Sequence, residues 1–310
     1  MTSAKCPLCD SPRVCQLALM RGLAVAKCLH CGIVFVTPQT TPKTGARAAS
    51  GAYYEHLDLA GYVDYYGSFR QRIFEASFAR LEQHLRASRE LPHKETIPLS
   101  ILDIGCSFGW FLDVARRHGC RAIGLEPSRE VAAYARERYG LDVREGGIGQ
   151  VGTLNEEFDA VTMWNVLEHV SDPCEALAAI RAKLRRGGIL ALSVPNVAGL
   201  FSRLSFLAYR LTGGKLSRPL ETLYQIEHEP MHLFHFSEET LTALLERTGF
   251  TVLEIVQQDI IDPRNIGKRA KLENAGWFQF KLLQLPVLLV FHLSCWLRMR
   301  DEMALYARRT

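Results

Sequence analysis

An apolar run that ends in an acid and a glycine-rich turn could build a ligand site. Asp103 lies near the end of the run 101–104, and Gly105, Ser107 and Gly109 follow it at alternate positions. An apolar pattern with helical spacing begins directly afterwards. Open α/β sheets bind ligands where a strand turns into a helix in this way. Glycine lets the backbone turn tightly and approach a ligand closely.

A second acid ends the next predicted strand. Glu126 closes the run 123–126 and precedes Pro127, and a carboxylate at this point can accept hydrogen bonds from both hydroxyls of a ribose. The G-x-S-x-G turn lacks the G-x-G-x-x-G spacing of dinucleotide sites, which disfavours an NAD-dependent oxidoreductase. Taken alone, the turn is equally compatible with an ordinary tight turn.

Four cysteines near the start have the spacing of a metal site. Cys6 and Cys9 form one C-x₂-C pair, and Cys28 and Cys31 form another, with eighteen residues between the pairs. Four thiolates make a closed tetrahedral shell, so the pattern predicts a structural Zn²⁺. The segment 14–27 is suited to a short hairpin, which would complete a zinc ribbon. The alternative is four unrelated buried cysteines.

Composition places the chain among globular proteins. It has 310 residues, 48% hydrophobic and 23% charged, with a formal net charge of +4. That length suits one α/β domain and a smaller appendage, and the mild charge does not favour nucleic acid as a partner. The nine cysteines and the absence of an apolar leader predict a reducing, cytoplasmic setting.

Strand and helix patterns alternate through five units from residue 100 onward, which predicts a doubly wound parallel sheet. Strands are expected near 101–104, 158–165 and 189–194. Asp172 is the expected N-cap of the helix after the fourth strand, with Pro173 at its first position. That helix is expected to run to about Leu184 and to end on the basic and glycine residues at 185–188.

Together, these motifs resemble the class I S-adenosylmethionine (SAM) methyltransferases over about residues 100–196. The family motif D/E-x-G-x-G-x-G matches 103–109 with Ser107 at the middle glycine, and the sequence Trp-Asn-Val-Leu-Glu-His-Val-Ser-Asp-Pro at 164–173 is very like the family's segment after strand four. The resemblance implies a Rossmann-like, seven-stranded α/β fold, with strand six at 251–256 and an antiparallel strand seven at 302–308. The SAM-binding residues implied are Asp103, Gly105, Cys106, Ser107, Gly109, Glu126, Pro127, Asn165 and Val166. Cys106 could also be just a small residue in the turn.

Histidines are the candidates for the acceptor side. By position, His169 is the best candidate for a catalytic base, although it could simply bond a neighbour at a helix start. His228 and His232 are further candidates for a base or an acceptor contact, and Pro230 predicts that they lie in a loop. Similar ubiquinone-pathway O-methyltransferases bind a divalent metal through two glutamates and a histidine. Glu168 and His169 match that set while Asn165 departs from it, which argues against a catalytic Mg²⁺.

The predicted organisation is a zinc-ribbon module at 1–36, a linker with a lid or helix at 37–95, and a catalytic domain at 96–310 with insertions at about 197–235 and 262–300. Tyrosine and phenylalanine residues before the domain could pack under the first helix or form a lid; they are Tyr53, Tyr54, Tyr62, Tyr65, Tyr66 and Phe69. The uncharged run 282–297 is too short to span a bilayer comfortably. It suggests peripheral membrane contact through 277–300, or a helix that caps the fold or pairs in a homodimer.

The leading functional hypothesis is methyl transfer from SAM to an oxygen or carbon of a small molecule, sugar or lipid-linked glycan. The alternatives are an RNA methyltransferase that uses the ribbon as a clamp and a SAM-binding protein without turnover. The ribbon lacks the dense basic and aromatic interleaving of an RNA-binding surface. Transfer of labelled methyl groups would separate the three.

Overall fold

The computed structural model describes residues 5–37, 59–89, 98–226, 230–258 and 288–310. The strands are β1 Val14–Met20, β2 Leu23–Cys28, β3 Val34–Thr37, β4 Ser100–Ile104, β5 Arg121–Glu126, β6 Asp142–Glu145, β7 Phe158–Trp164, β8 Leu184–Pro195, β9 Phe234–His235, β10 Phe250–Gln258 and β11 Glu302–Arg309. The helices are α1 Leu59–Arg89, α2 Trp110–Arg117, α3 Arg129–Tyr139, α4 Pro173–Lys183, α5 Leu200–Leu211, α6 Arg218–Leu223, α7 Glu238–Arg247 and α8 at 288–297. Several predictions fall on residues outside these ranges or on undescribed side chains, namely those for Tyr53, Tyr54, Tyr62, Tyr65, Tyr66 and His228.

A seven-stranded sheet forms the larger part of the molecule, in the order β10-β11-β8-β7-β4-β5-β6. Strands β6, β5, β4, β7 and β8 pair in parallel with one another, in that order. Strand β11 is antiparallel to both β8 and β10. The predicted Rossmann-like sheet with an antiparallel seventh strand is therefore confirmed. Its parallel strands direct their carboxyl ends to one edge, where ligands bind in such sheets.

Helix ends follow from local side-chain chemistry. The carboxylate of Asp172 accepts the amide of Glu175 at 2.9 Å, and Pro173 opens α4, as predicted. Ser237 caps α7 by accepting the amide of Thr240 at 3.3 Å. The helix end predicted at about Leu184 is confirmed to within one residue, because α4 ends at Lys183. The prediction that 185–188 form the helix terminus is wrong, since 184–188 already belong to β8. Glycine is required within this strand, because Gly188 lies against the backbone of β7 and has no room for a side chain.

The smaller sheet has the order β1-β2-β3-β9. Strands β1 and β2 form the predicted hairpin. The sequence did not predict β3, which adds a third strand, or the fourth strand, which comes from the segment between β8 and α7. Val34 pairs with His235, and Phe35 pairs with Phe234. Because ribbon residues share one apolar core with residues around β8 and β9, the ribbon packs as part of the main body.

Helix α8 lies at the periphery. It leaves Leu289, Leu293 and Trp296 exposed, the last at 78%. Its end adjoins α5, because the amide of Leu200 donates to the carbonyl of Met299 at 2.8 Å. No helix within the described residues has the length and apolar character needed to cross a bilayer.

Candidate cofactor and acceptor site

The turn after β4 has the backbone geometry that its residues predict. Gly105 and Gly109 have φ angles of 69° and 77°, and Ser107 between them has a φ angle of 49°. A Cβ on Gly109 would lie 2.5 Å from Cδ1 of Leu141 and 3.2 Å from Cβ of Ala135, and the φ angle is left-handed, so glycine is strongly favoured there. The positive φ angle of Ser107 explains why glycine is favoured at this position.

Asp103 is a buried carboxyl group at the carboxyl end of β4. Its Oδ1 accepts the hydroxyl of Thr162 on β7 at 2.6 Å. Its Oδ2 is buried, with no hydrogen-bond partner in the part of the chain that the structure describes. Burial, together with the nearby charge of Glu126, raises the pKa of Asp103 to about 7. An orphaned buried oxygen of this kind fits a ligand that brings a hydrogen-bond donor or a positive charge.

Glu126 lies at the end of β5 and connects the turn after β4 to the start of α3. Its carboxylate accepts the amides of Ser107 and Ser128, each at 2.9 Å. Burial raises its pKa to about 7 even though these two amides favour the charged form. Glu126 therefore fixes the turn after β4 and still has lone pairs for a ribose hydroxyl. Pro127, half-buried, shapes the turn between these contacts.

Asn165 and Val166 follow β7 and cover the same turn. A Cβ on Gly105 would lie 2.6 Å from Cγ2 of Val166, so the segment packs directly on the glycine turn. Asn165 has a φ angle of 57°, a left-handed conformation that asparagine adopts more readily than most residues. Its side chain accepts the hydroxyl of Ser193 at 3.2 Å. Both residues are half-buried and lie where SAM is expected to meet its acceptor.

Cys106 faces away from this site. A Cβ on Gly124 of β5 would lie 2.5 Å from its Sγ, and the side chain belongs to a small apolar core with Leu112. Burial raises the pKa of its thiol well above the usual value. The side chain therefore packs between the sheet and α2, and only the backbone of Cys106 lines the turn.

A buried cluster of an acid and two histidines lies just beyond Val166. One donor atom from each of Glu168, His169 and His232 lies within 4.8 Å of the others. The ring centroids of His169 and His232 are 4.8 Å apart, and those of His232 and His235 are 6.0 Å apart. The structure therefore brings two of the predicted histidines together, although they are distant in sequence.

Burial sets the proton affinities in this cluster. It raises the pKa of Glu168 to about 8, with a further contribution from the charge of Glu302. It lowers the pKa of His169 to about 4, and those of His232 and His235 well below the usual value. The imidazoles are accordingly neutral at pH 7, with nitrogen lone pairs available for a proton or a metal.

The four ribbon cysteines converge as their spacing predicts. Sγ of Cys6 lies 3.6 Å from Sγ of Cys31, and Sγ of Cys9 lies 3.6 Å from Sγ of Cys28. All four sulfurs lie within 4.8 Å of one another. Tetrahedral coordination with zinc–sulfur bonds of about 2.3 Å places sulfurs roughly 3.8 Å apart. The donor set and its spacing therefore fit a structural Zn²⁺.

The ribbon and the histidine cluster are joined through β9. The amide of Val36 donates to the carbonyl of Leu233 at 3.0 Å, and the amide of Leu233 donates to the carbonyl of Glu168 at 2.8 Å. Ring nitrogen Nδ1 of His169 bonds the carbonyl of Met231 at 3.0 Å. Residues 231–235 thus lie between the ribbon and the segment that carries Glu168.

Sequence reasoning missed two contributors to the site. Thr162 holds Asp103 from the neighbouring strand, and Glu302 on β11 adds charge beside Glu168. Thr162 lies in the apolar pattern of β7, where a buried hydroxyl is a usable signal of a polar neighbour. Glu302 is distant in sequence, and only the return of β11 into the sheet brings it close.

Known proteins resemble this chain over its central part. The family model described as a methyltransferase domain matches residues 66–255. A probable S-adenosylmethionine-dependent methyltransferase of Mycolicibacterium smegmatis is 29% identical over 153 residues, which are 49% of this chain and 52% of that protein. The ubiquinone biosynthesis O-methyltransferase of Dinoroseobacter shibae is 34% identical over 103 residues, which are 32% of this chain and 42% of that protein. The matches thus span about half the length of these relatives or less.

Solved structures share the fold at low identity. A putative sarcosine dimethylglycine methyltransferase from Galdieria sulphuraria has a TM-score of 0.51 and 12% identity, covering 77% of this chain and 86% of its own. The cyclopropane synthase MmaA2 from Mycobacterium tuberculosis has a TM-score of 0.50 and 18% identity, covering 75% of this chain and 84% of its own. The family model covers more than half of the chain, and the sheet has the topology expected of that family. This chain therefore belongs to the class I SAM-dependent methyltransferases.

Proposed function

We propose that the enzyme transfers the methyl group of SAM to an oxygen or carbon of a small-molecule, sugar or lipid-linked glycan acceptor. The observation that carries the proposal is the cluster of Glu168, His169 and His232 next to the segment that covers the glycine turn. Acceptors that attack through oxygen or carbon must lose a proton. The imidazole nitrogens beside the acceptor can accept that proton directly or hold a cation whose charge lowers the pKa of the acceptor group.

The reaction is an in-line displacement at the methyl carbon. The acceptor oxygen or carbon forms a bond to that carbon, the carbon–sulfur bond breaks, and S-adenosylhomocysteine (SAH) leaves. The acceptor's proton is lost on the side of the histidine cluster. Asp103 and Glu126 hold the cofactor, and Asn165 and Val166 bound the space between cofactor and acceptor. Holding the reactants in line is the main catalytic contribution expected of the protein.

The similarity to proteins named ubiquinone biosynthesis O-methyltransferase supports an oxygen acceptor. That match covers 32% of this chain, so it bears on the reaction more than on the acceptor's identity.

We also propose that Cys6, Cys9, Cys28 and Cys31 bind a structural Zn²⁺. Support comes from the four sulfurs within 4.8 Å of one another and from amides that point at them. The amides of His30 and Cys31 lie 3.4 and 3.5 Å from Sγ of Cys28.

The test of the methyl-transfer proposal uses methyl-labelled SAM, the purified protein and a heat-treated extract of its own cells. After incubation, the extract is separated into small-molecule, lipid and RNA fractions. Label is expected in the small-molecule or lipid fraction and should disappear with Asp103→Asn, the control variant impaired in SAM binding. Label confined to RNA, or none in any fraction, would contradict the proposed acceptor class.

A further inference from the structure

We propose that Glu168, His169 and His232 bind one divalent transition-metal ion of the zinc and cobalt class at the acceptor side. The inference builds on the proposed function, since the ion would lie where the acceptor is expected. One donor atom from each residue lies within 4.8 Å of the others. Zinc bonds to nitrogen and oxygen of about 2.1 Å place donors roughly 3.4 Å apart, so closing the site requires the donors to move together by about 1 Å.

His169 has the orientation that metal-bound histidines share. Its Nδ1–H donates to the carbonyl of Met231 at 3.0 Å, which leaves the lone pair on Nε2. Nε2 lies 4.0 Å from Oε1 of Glu168. A backbone carbonyl that fixes one ring nitrogen while the other faces a carboxylate is the usual second layer of contacts around a metal-bound imidazole.

His232, in another segment of the chain, also has one ring nitrogen bonded to backbone, and its other ring nitrogen has no partner among the described residues. One of its ring nitrogens bonds the backbone of Leu223. Its Nδ1 is buried, with no hydrogen-bond partner among the described residues. The side chain is only 5% exposed, so solvent does little to compensate. A buried nitrogen lone pair without a partner costs free energy that a metal ion would recover.

Glu168 is the third donor and the most poorly satisfied one. The residue is 1% exposed, and neither of its carboxyl oxygens has a hydrogen-bond partner within the described ranges. An isolated buried carboxyl group is costly in either protonation state. Two imidazole nitrogens facing it cannot neutralise a carboxylate while they are uncharged, whereas a divalent cation can.

The donors in this chain differ from the two glutamates and one histidine that the resemblance implies. This difference changes which metal ion the site prefers. Two glutamates and a histidine would suit Mg²⁺, but Asn165 stands at one glutamate position and its side chain bonds Ser193. In its place, the chain brings in His232 from the segment before β9. Two nitrogens and one carboxylate suit zinc, cobalt or iron and fit Mg²⁺ poorly, since Mg²⁺ prefers oxygen ligands.

Three protein donors leave coordination positions open. Closed four-ligand shells are structural, whereas three ligands with an open position are typical of sites that bind a substrate or water. An ion held there would supply positive charge beside the acceptor group. The hydrogen bond from Leu233 to the carbonyl of Glu168 holds the two segments in register, so the donors belong to a fixed part of the fold.

The experiment is a titration with Co²⁺ of the full-length protein whose ribbon cysteines already hold zinc. The protein is expected to bind one equivalent of Co²⁺, detected calorimetrically and by weak visible absorption, without the intense near-ultraviolet bands of cobalt–thiolate bonding. Glu168→Gln, His169→Gln and His232→Gln should each weaken Co²⁺ binding by at least about tenfold. His118→Gln, which alters a surface histidine paired with Glu75, should bind Co²⁺ like the unmodified protein.

Affinity for SAM and thermal stability are measured on every variant, so that loss of Co²⁺ binding is scored only in folded protein. No binding by the unmodified protein, thiolate-type absorption, or equal binding by all three cluster variants would overturn the metal site. Label transfer to the acceptor fraction is measured separately. Transfer without Co²⁺ binding would reject the metal site alone, and binding without transfer would reject the proposed acceptor class alone.

Discussion

At the residue scale, the candidate cofactor site contains two carboxyl groups that are buried without a cationic partner among the described residues. Asp103 and Glu126 are 1% and 3% exposed, and burial raises the pKa of each to about 7. Such an arrangement is unfavourable in the free protein and becomes favourable when a cation arrives. SAM carries a sulfonium and an ammonium group, so SAM bound next to these acids would offset the cost of burying them.

The variants Asp103→Asn and Glu126→Gln test whether the charges of these two carboxyl groups contribute to SAM binding. Each change keeps the shape of the side chain and removes its negative charge. Losing a charged hydrogen bond costs about 1.5–3 kcal/mol, so SAM affinity should fall by roughly ten- to a hundredfold. Isothermal titration with SAM measures the affinity, and circular dichroism shows whether the fold is kept. Unchanged affinity in both variants would disprove the assignment of the cofactor site.

Ser107 carries a second prediction, because its φ angle of 49° is left-handed. Ser107→Gly removes a conformational cost of about 1–2 kcal/mol but gives back about 0.5–1 kcal/mol of chain entropy. Its stability should therefore rise by between about 0 and 1.5 kcal/mol, with the hydrogen bond from the residue 107 amide to Glu126 retained. Ser107→Val should lose about 1–3 kcal/mol, since β-branched residues fit this conformation poorly. Urea unfolding of both variants measures the difference, and equal stability of the valine variant would contradict the strain.

Motif spacing locates Asp103, Glu126 and the glycines from sequence because each lies at a strand end that local patterns reveal. The sequence pattern does not predict which residues contact these side chains in the folded protein. Thr162 meets Asp103 only through the pairing of β7 with β4. His232 meets His169 only because the segment before β9 folds back on the sheet, a contact between positions about sixty residues apart.

At the element scale, the two-residue strand β9 links the ribbon to the acceptor side. No periodic pattern marks so short a strand, which explains why the sequence predicted a ribbon without predicting what the ribbon supports. The long parallel strands, by contrast, have buried apolar runs and were predicted closely. The start of β8 was misplaced because glycines after basic residues also mark a helix end.

Removal of the proposed ribbon Zn²⁺ is therefore expected to loosen the acceptor side. The double variant Cys6→Ser, Cys9→Ser is expected to lose zinc and loosen β3. The amide of Leu233, which bonds Glu168, should then exchange its hydrogen faster, while SAM affinity stays within about twofold because Asp103 and Glu126 are held by other strands. Hydrogen–deuterium exchange of the segment 231–235 measures the effect.

Cys15→Ser is the matched control for that experiment. Cys15 lies half-buried on β1, outside the four-thiol set, so its loss should leave both zinc content and exchange unchanged. Unaltered exchange at 231–235 in a zinc-free double variant would show that the ribbon does not support the acceptor side.

At the scale of the whole molecule, charge is distributed unevenly. The chain carries a formal net charge of +4, yet the carboxyl ends of its parallel strands and the start of β11 hold four buried acids. These are Asp103, Glu126, Glu168 and Glu302. A low-dielectric edge lined by acids selects a cationic cofactor over a neutral one. Methyl transfer converts the cationic SAM into SAH, which lacks the sulfonium charge, so the same edge favours release of the product.

Preference for SAM over SAH should consequently grow with pH. Below pH 7, Asp103 and Glu126 are largely protonated in the free protein, because burial raises the pKa of each above its usual value. These two groups therefore stabilise the free fold at low pH and lose that contribution as the pH rises through 7. The proposed contacts with the positive charges of SAM, by contrast, require both groups to be ionised. A group that must ionise to bind a ligand weakens binding by up to about tenfold per pH unit below its pKa. Between pH 6 and pH 8, the ratio of SAM to SAH affinity, measured by calorimetry, is expected to rise. In the double variant Asp103→Asn, Glu126→Gln, this ratio should change little with pH. A ratio that does not change with pH in the unmodified protein would mean that these carboxyl groups do not interact with the sulfonium charge.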